Sequence, residues 1–140
     1  MSEEIKAGTR RFVEEVWNRG NLALVDQSVA AECVYRGPAW DVHDPEGFKK
    51  VVTASRSAFP DLHLSIDDII GEGDKVVTRW ILRGTHKGDL MGIAPTGKQV
   101  TIWGINIERN ANGKRVEEWE AWDVLGLMQQ LGVIPPRGER

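Results

Sequence analysis

The chain has 140 residues, 41% hydrophobic and 28% charged, the balance of a soluble globular domain and not of a disordered or membrane-embedded one. A net charge of −3 without any basic cluster weighs against nucleic acid as the main partner. The single cysteine, Cys33, excludes an internal disulfide. The N-terminus MSEEIKAGTRRF has no apolar signal core, and no run approaches the roughly 18 apolar residues of a membrane span, so a cytoplasmic protein is expected.

In chain order, residues 3–18 read as a helix. Ile5, Phe12, Val13, Val16 and Trp17 form its apolar stripe, and Ser2 ahead of Glu3 and Glu4 suits a helix start. A second short helix is expected over 22–29, and a short strand over 33–36, stopped by Gly37 and Pro38. The stretch carrying Trp40, Asp41, His43 and Asp44 reads as a loop. It leads to Pro45, placed as the first residue of a third helix, 46–58, with Phe48, Val51, Val52 and Ser55 on one face.

From Leu62 the period changes to two. Leu62, Leu64 and Ile66 alternate with His63, Ser65 and Asp67, a half-buried strand. Gly71 to Asp74 signals a hairpin. Residues 75–85 form a longer strand, with Val76, Thr78, Trp80 and Leu82 on one side. The segment 84–97 is a glycine-rich loop, 98–109 another long strand, and 110–113 a turn. The stretch 114–132, KRVEEWEAWDVLGLMQQLG, begins as a strand. Val116, Glu118, Glu120 and Trp122 share one face; Glu117, Trp119, Ala121 and Asp123 share the other. It then becomes a short helix with Leu125, Met128 and Leu131 at helical spacing.

Helices followed by antiparallel strands make an α+β fold. A long twisted sheet curls, so a cone-shaped arrangement is expected, with a curved, mainly antiparallel sheet wrapped around the N-terminal helices. The cavity lies between helices and sheet, and the outer face is free to pair with a second subunit. The whole chain, 1–140, reads as one domain with a loose tail from about residue 133.

Acids alternating with tryptophans in the last strand are unusual. A carboxyl set in an apolar wall has a raised pKa and can move protons near neutral pH. Glu120 and Asp123 are therefore the candidate acid/base residues. The bland reading of Glu120 is a rim carboxylate; that of Asp123 is a helix N-cap. Glu118 either repels Glu120 or lies at the surface. Trp17, Trp40, Trp80, Trp103 and Trp122 are candidates for lining an aromatic pocket, Trp119 for an interface, and His43 for the pocket mouth. Trp103, Trp122 or Asn106 could donate a hydrogen bond to an enolate oxygen; Trp103 and Asn106 have opposite parity, so without a bulge only one faces the cavity. Arg79 and Arg83 are expected to pair with strand acids such as Glu117 or Glu118. No metal-ligand spacing is present, and Cys33 has no evident histidine partner.

Several segments together resemble the SnoaL-like polyketide cyclase family, within the nuclear transport factor 2-like superfamily. They are Ala58-Phe59-Pro60-Asp61-Leu62, Gly73 to Arg79, Gly84-Thr85-His86-Lys87-Gly88, Pro95-Thr96-Gly97-Lys98, and Gly113-Lys114 through Trp119-Glu120-Ala121-Trp122-Asp123 into Gly126 to Gly132. The resemblance implies cofactor-free acid/base chemistry on a hydrophobic carbonyl compound: an aldol-type polyketide or ester cyclase without metal or organic cofactor. It places the catalytic acid at Glu120, with Asp123 the other candidate. Beside it, the reading of the residues sets a small hydrophobic ligand against Trp17, Tyr35, Arg36, Trp40, His43, Trp80, Trp103, Asn106, Glu118 and Trp122. Neither nucleic acid nor membrane is implied as a partner; a homodimer is. Relatives often carry histidine where Arg36 stands, so that histidine's role is lost or changed here. The bulk of Trp103 implies a reduced or reshaped pocket. The competing readings are an isomerase or dehydratase using the same acid, and a binding or dimerisation domain without catalysis.

Overall fold

The computed structural model of the chain describes residues 2–135. Helix α1 (Ser2–Phe12) widens into a π-helical segment (Val13–Asn18), followed by α2 (Ala23–Ser28), β1 (Val29–Gly37), β2 (Trp40–Val42), α3 (Pro45–Ala58), β3 (His63–Glu72), β4 (Lys75–Thr85), β5 (Gln99–Ala111), β6 (Lys114–Trp122) and α4 (Val124–Leu131). The fold is mixed α+β, with an open, curved six-stranded sheet in the order β2-β1-β6-β5-β4-β3. Every pairing is antiparallel except β1 with β6, which is parallel. That one parallel pairing sets Tyr35 of β1 directly beside Glu118 of β6.

Local chemistry fixes the element ends. Asp44 caps α3 by accepting from the Gly47 N–H at 2.7 Å, with Pro45 at the first helical position. Asp123 caps α4 by accepting from the Gly126 N–H at 2.9 Å, and Gly132, at φ 82°, closes that helix in the left-handed region. The π-helical segment ends on two clamps. Arg56 of α3 donates to the carbonyls of Trp17 and Asn18 at 2.8 and 2.9 Å, satisfying carbonyls that a helix end leaves free. The Asn18 amide exchanges two hydrogen bonds with the backbone of Leu64 on β3. These clamps hold Trp17 between the helices and the sheet.

Some boundaries differ from the sequence reading. The helix expected over 3–18 changes to π geometry at Val13. The strand expected over 33–36 starts at Val29, because β6 supplies pairing partners from Val29 onward. The loop expected around Trp40 contains β2, paired with β1. In α4 the buried residues are Leu127 and Leu131, while Leu125 is exposed. Arg79 pairs with Asp67 at 2.7 Å, and Glu117 with Arg109 at 3.6 Å. Most of the expected loose tail, 136–140, lies outside the described residues.

Two apolar clusters form the core. Phe12, Val16, Val25, Tyr35, Phe48 and Val52 hold the helices to β1, with the Tyr35 and Phe48 rings stacked at 4.5 Å. Phe59, Leu62, Leu64, Trp80, Ile102 and Leu127 hold α4 and the far half of the sheet. Each fully buried large side chain contributes on the order of 1.5–3 kcal/mol. Trp17 packs against both clusters, and the space between them is the cavity.

Candidate active site

The cavity has a volume of about 430 Å³. Its walls are mostly apolar and aromatic: Phe12, Trp17, Trp40, Phe59, Trp80 and Trp122 all line it. The lining residues that reach solvent are Ala39, Lys50, Ala54, Asp89 and Met91, so the mouth lies between the β1–β2 turn, α3 and the loop after β4. The other end is polar, built from inward side chains of β4, β5 and β6, with Thr9 of α1.

Strand register explains that polar end. Asn106 stands directly opposite Glu120, and Glu108 directly opposite Glu118, across β5 and β6. Two carboxylates opposed on one face repel. Arg115 lies between them, donating to Glu108 at 3.0 and 3.1 Å and to Glu118 at 3.0 Å, with its guanidinium 4.2 Å from the Phe12 ring centre. Thr9 donates to Glu108, and Asn106 donates to Glu118. Trp80 donates its indole N–H to the Asn106 carbonyl at 2.7 Å. Arg115, Glu108 and Glu118 are all buried.

Glu120 lies at the edge of this cluster, half-buried, facing the cavity. The Tyr35 hydroxyl donates to its Oε1 at 2.9 Å. Burial, reinforced by the charge of Glu118, pushes the Glu120 carboxyl up from its ordinary 4.5 to about 8, against the hydrogen bonds from Tyr35 and Asn106. Burial, with the charge of Glu120, also holds the Tyr35 hydroxyl well above its usual range, so it stays a donor. Burial likewise raises the Glu118 carboxyl, while the Arg115 guanidinium pulls it down. Gly37 has no side chain at the one point where it matters: a Cβ there would lie 2.9 Å from Trp40 Nε1 and 3.2 Å from Glu120 Oε2. The Trp40 and Trp122 rings stack at 6.2 Å, and both of their indole N–H groups are buried with no hydrogen-bond partner among the described residues.

Of the residues singled out in the sequence, the fold brings Trp17, Trp40, Trp80, Asn106, Glu118, Glu120 and Trp122 to the cavity, with Tyr35 directly behind Glu120. Four others lie elsewhere. Trp103, expected to line or fill the pocket, is 54% exposed on the outer face of β5, because its parity is opposite to that of Asn106. Arg36 turns outward, lying over the Trp119 ring and pairing with Asp41. His43, expected at the mouth, is exposed and sits 3.2 Å from Asp41. Asp123 spends its carboxylate on the cap of α4 and is not among the lining residues.

Sequence reasoning missed Thr9, Glu108 and Arg115. Glu108 shares parity with Asn106 and was available to a pattern argument. Arg115 was not. Regular alternation sets it on the face opposite Glu118, but the ladder slips by one residue between the Arg109 and Asn110 pairings, and this bulge turns Arg115 inward.

Comparison with known proteins adds a family to this geometry. The family profile described as SnoaL-like polyketide cyclase matches residues 7–131. The chain is 31% identical over 144 residues to the aklanonic acid methyl ester cyclase DnrD of Streptomyces peucetius, covering 99% of this chain and 97% of that one. Among solved structures, AclR of Streptomyces galilaeus, provisionally called a hydroxylase, superposes with a TM-score of 0.86 at 29% identity, covering 99% of this chain and 87% of its own. TsrD of Streptomyces laurentii superposes with a TM-score of 0.84 at 28% identity, covering 94% and 97%.

Proposed function

The chain belongs to the SnoaL-like polyketide cyclase family, and on that premise we propose that it closes a ring in a hydrophobic polyketide-type carbonyl compound by cofactor-free aldol chemistry, with Glu120 as the acid/base residue. The observation that carries this reading is the carboxyl of Glu120, facing an aromatic cavity with its pKa raised to about 8. DnrD is named as a cyclase of aklanonic acid methyl ester, and the aromatic walls here suit a flat hydrophobic substrate.

Aldol closure needs a base for a proton α to a carbonyl and a donor for the enolate oxygen. In this reading ionised Glu120 takes the α-proton. The resulting enolate carbon attacks a second carbonyl of the same molecule and forms the new C–C bond. Glu120 then returns its proton to the alkoxide, so no net proton is gained or lost. Among the candidate donors, Trp103 faces outward, the Trp80 N–H is engaged by Asn106, and the Asn106 amide is engaged by Glu118. The indole N–H groups of Trp122 and Trp40 have no partner among the described residues, which supports them as the donors once a bound substrate displaces the packing that covers them.

The test is turnover of flat aromatic β-keto esters by the wild type and by Glu120→Gln. Ring-closed product from the wild type and its loss in the variant support the reading. Binding of such esters without any product by either protein favours the non-catalytic binding domain instead.

A homodimer fits the same reading. The outer sheet face exposes Trp103, Ile105, Ile107 and Trp119 together, an apolar patch suited to a second copy of the sheet. The lone, buried Cys33 suits a reducing, cytoplasmic setting.

A further inference from the structure

The buried cluster behind Glu120 has no step in the chemistry above, yet it is charged and unbalanced. Glu108 and Glu118 share one guanidinium, that of Arg115. Donor chemistry fixes the direction of its hydrogen bonds. An indole N–H only donates, so the Trp80 contact fixes the Asn106 carbonyl toward Trp80 and its NH₂ toward Glu118. A guanidinium also only donates, so Arg115 faces the other oxygen of Glu118 with an N–H. Both oxygens of Glu118 therefore meet donors, which favours the carboxylate against the burial that raises it. Glu120 is less well supplied: the Tyr35 hydroxyl donates to Oε1, Oε2 lies beside Gly37, and the Asn106 amide it stands opposite is shared with Glu118.

We infer that Glu118 is a positioning residue: with both oxygens held by donors from Arg115 and Asn106, its negative charge adds to the burial of Glu120 in keeping the cavity proton there. This rests on the proposed role of Glu120 and deepens it, because it makes the resting site an acid that must first lose its proton. The charged groups around Glu120 are of both signs, with the carboxylates in excess. From β6 come Glu118 and Arg115, from β5 Glu108, and from β1 the neutral Tyr35 hydroxyl; Lys50 of α3 and Asp89 of the loop after β4 stand at the mouth, one of each sign. The nearest net charge is thus one negative unit, two carboxylates against one guanidinium. A neighbouring negative charge in a dry site favours the protonated form of the next carboxyl.

The test needs no substrate, so it stands apart from the cyclase assay. Protein carrying ¹³C-labelled glutamate is titrated by NMR, with the Glu120 side-chain carboxyl signal identified by its loss in Glu120→Gln. The expected wild-type midpoint is near 8. Glu118→Gln should lower it by at least about one pH unit. Glu108→Gln neutralises the same cluster while leaving both oxygens of Glu118 their donors, and should lower the midpoint in the same direction by less; it decides the matter should Glu118→Gln not fold. A wild-type midpoint in the ordinary carboxylate range overturns the inference, and so does a midpoint that neither variant moves. A purely structural Glu118 leaves the midpoint unchanged. If the titration behaves as expected while no β-keto ester is turned over, the proton assignment stands and the cyclase reading fails.

Discussion

Two carboxyls three residues apart, Glu120 and Asp123, are separated by what each touches. Asp123 holds a helix N-terminus, and Glu120 faces the cavity. Glu120→Gln should cost turnover roughly 10²–10⁴-fold, the usual share of a general acid/base. Asp123→Ala should leave turnover largely intact and cost about 1 kcal/mol of stability by thermal or denaturant unfolding. Complete loss of activity in Asp123→Ala with little change in Glu120→Gln reverses the roles. The raised carboxyl also gives stability a pH slope of definite sign. Between its ordinary 4.5 and about 8, folded Glu120 binds a proton that the unfolded chain does not. Its contribution therefore favours folding at low pH and is lost as pH rises through that window, by at most about 1.4 kcal/mol per unit. Denaturant midpoints measured from pH 5 to 9 should show this slope, flattened in Glu120→Gln. As a base, Glu120 should make kcat/KM rise with pH and level off above about 8.

Strand β5 works through an alternation of large and absent side chains. Gly104 stands opposite Trp80, and a Cβ there would lie 2.2 Å from the indole. The missing side chain is what lets Trp80 lie across β5 and reach Asn106 with its N–H. Gly104→Ala should therefore cost about 1–3 kcal/mol through overpacking. It should also loosen the Trp80–Asn106 contact, visible as a shifted Trp80 indole resonance. Retained stability together with an unmoved indole signal is the outcome that goes against this account. The same strand presents Trp103, Ile105 and Ile107 on its other face, so β5 serves the cavity with one parity and the outer surface with the other.

For the molecule as a whole, that outer surface carries the dimer prediction. Ile107 and Trp119 are directly paired across β5 and β6, with Ile105 and Trp103 further along β5. Ile107→Glu should turn a two-fold dimer into a monomer by light scattering at micromolar concentration, because a carboxylate in an apolar interface loses its hydration. The fold should survive, since the residue is exposed in the single chain. A wild-type monomer at that concentration sinks the prediction.

The sequence alone determined the strand parities, and through them much of the site. Alternation of period two set Glu118, Glu120 and Trp122 on one face and Trp119 on the other, because successive side chains of a strand point to opposite sides. Helix starts were partly legible: Pro45 as the first residue of α3, and Asp123 as a cap ahead of α4, since both depend on residues close in the chain. The remainder depended on contacts between distant segments. The sequence left open which parity of β5 faces inward; packing answered it, with Trp103 outward and Asn106 inward. Arg115 reached the cavity only through a bulge that pattern cannot show. The Tyr35 hydroxyl reached Glu120 only because β1 and β6, 85 residues apart at that contact, pair in parallel. Burial of Glu118 and the raised carboxyl of Glu120 followed from those long-range pairings, since desolvation is a property of the assembled site and not of the strand that carries the residues.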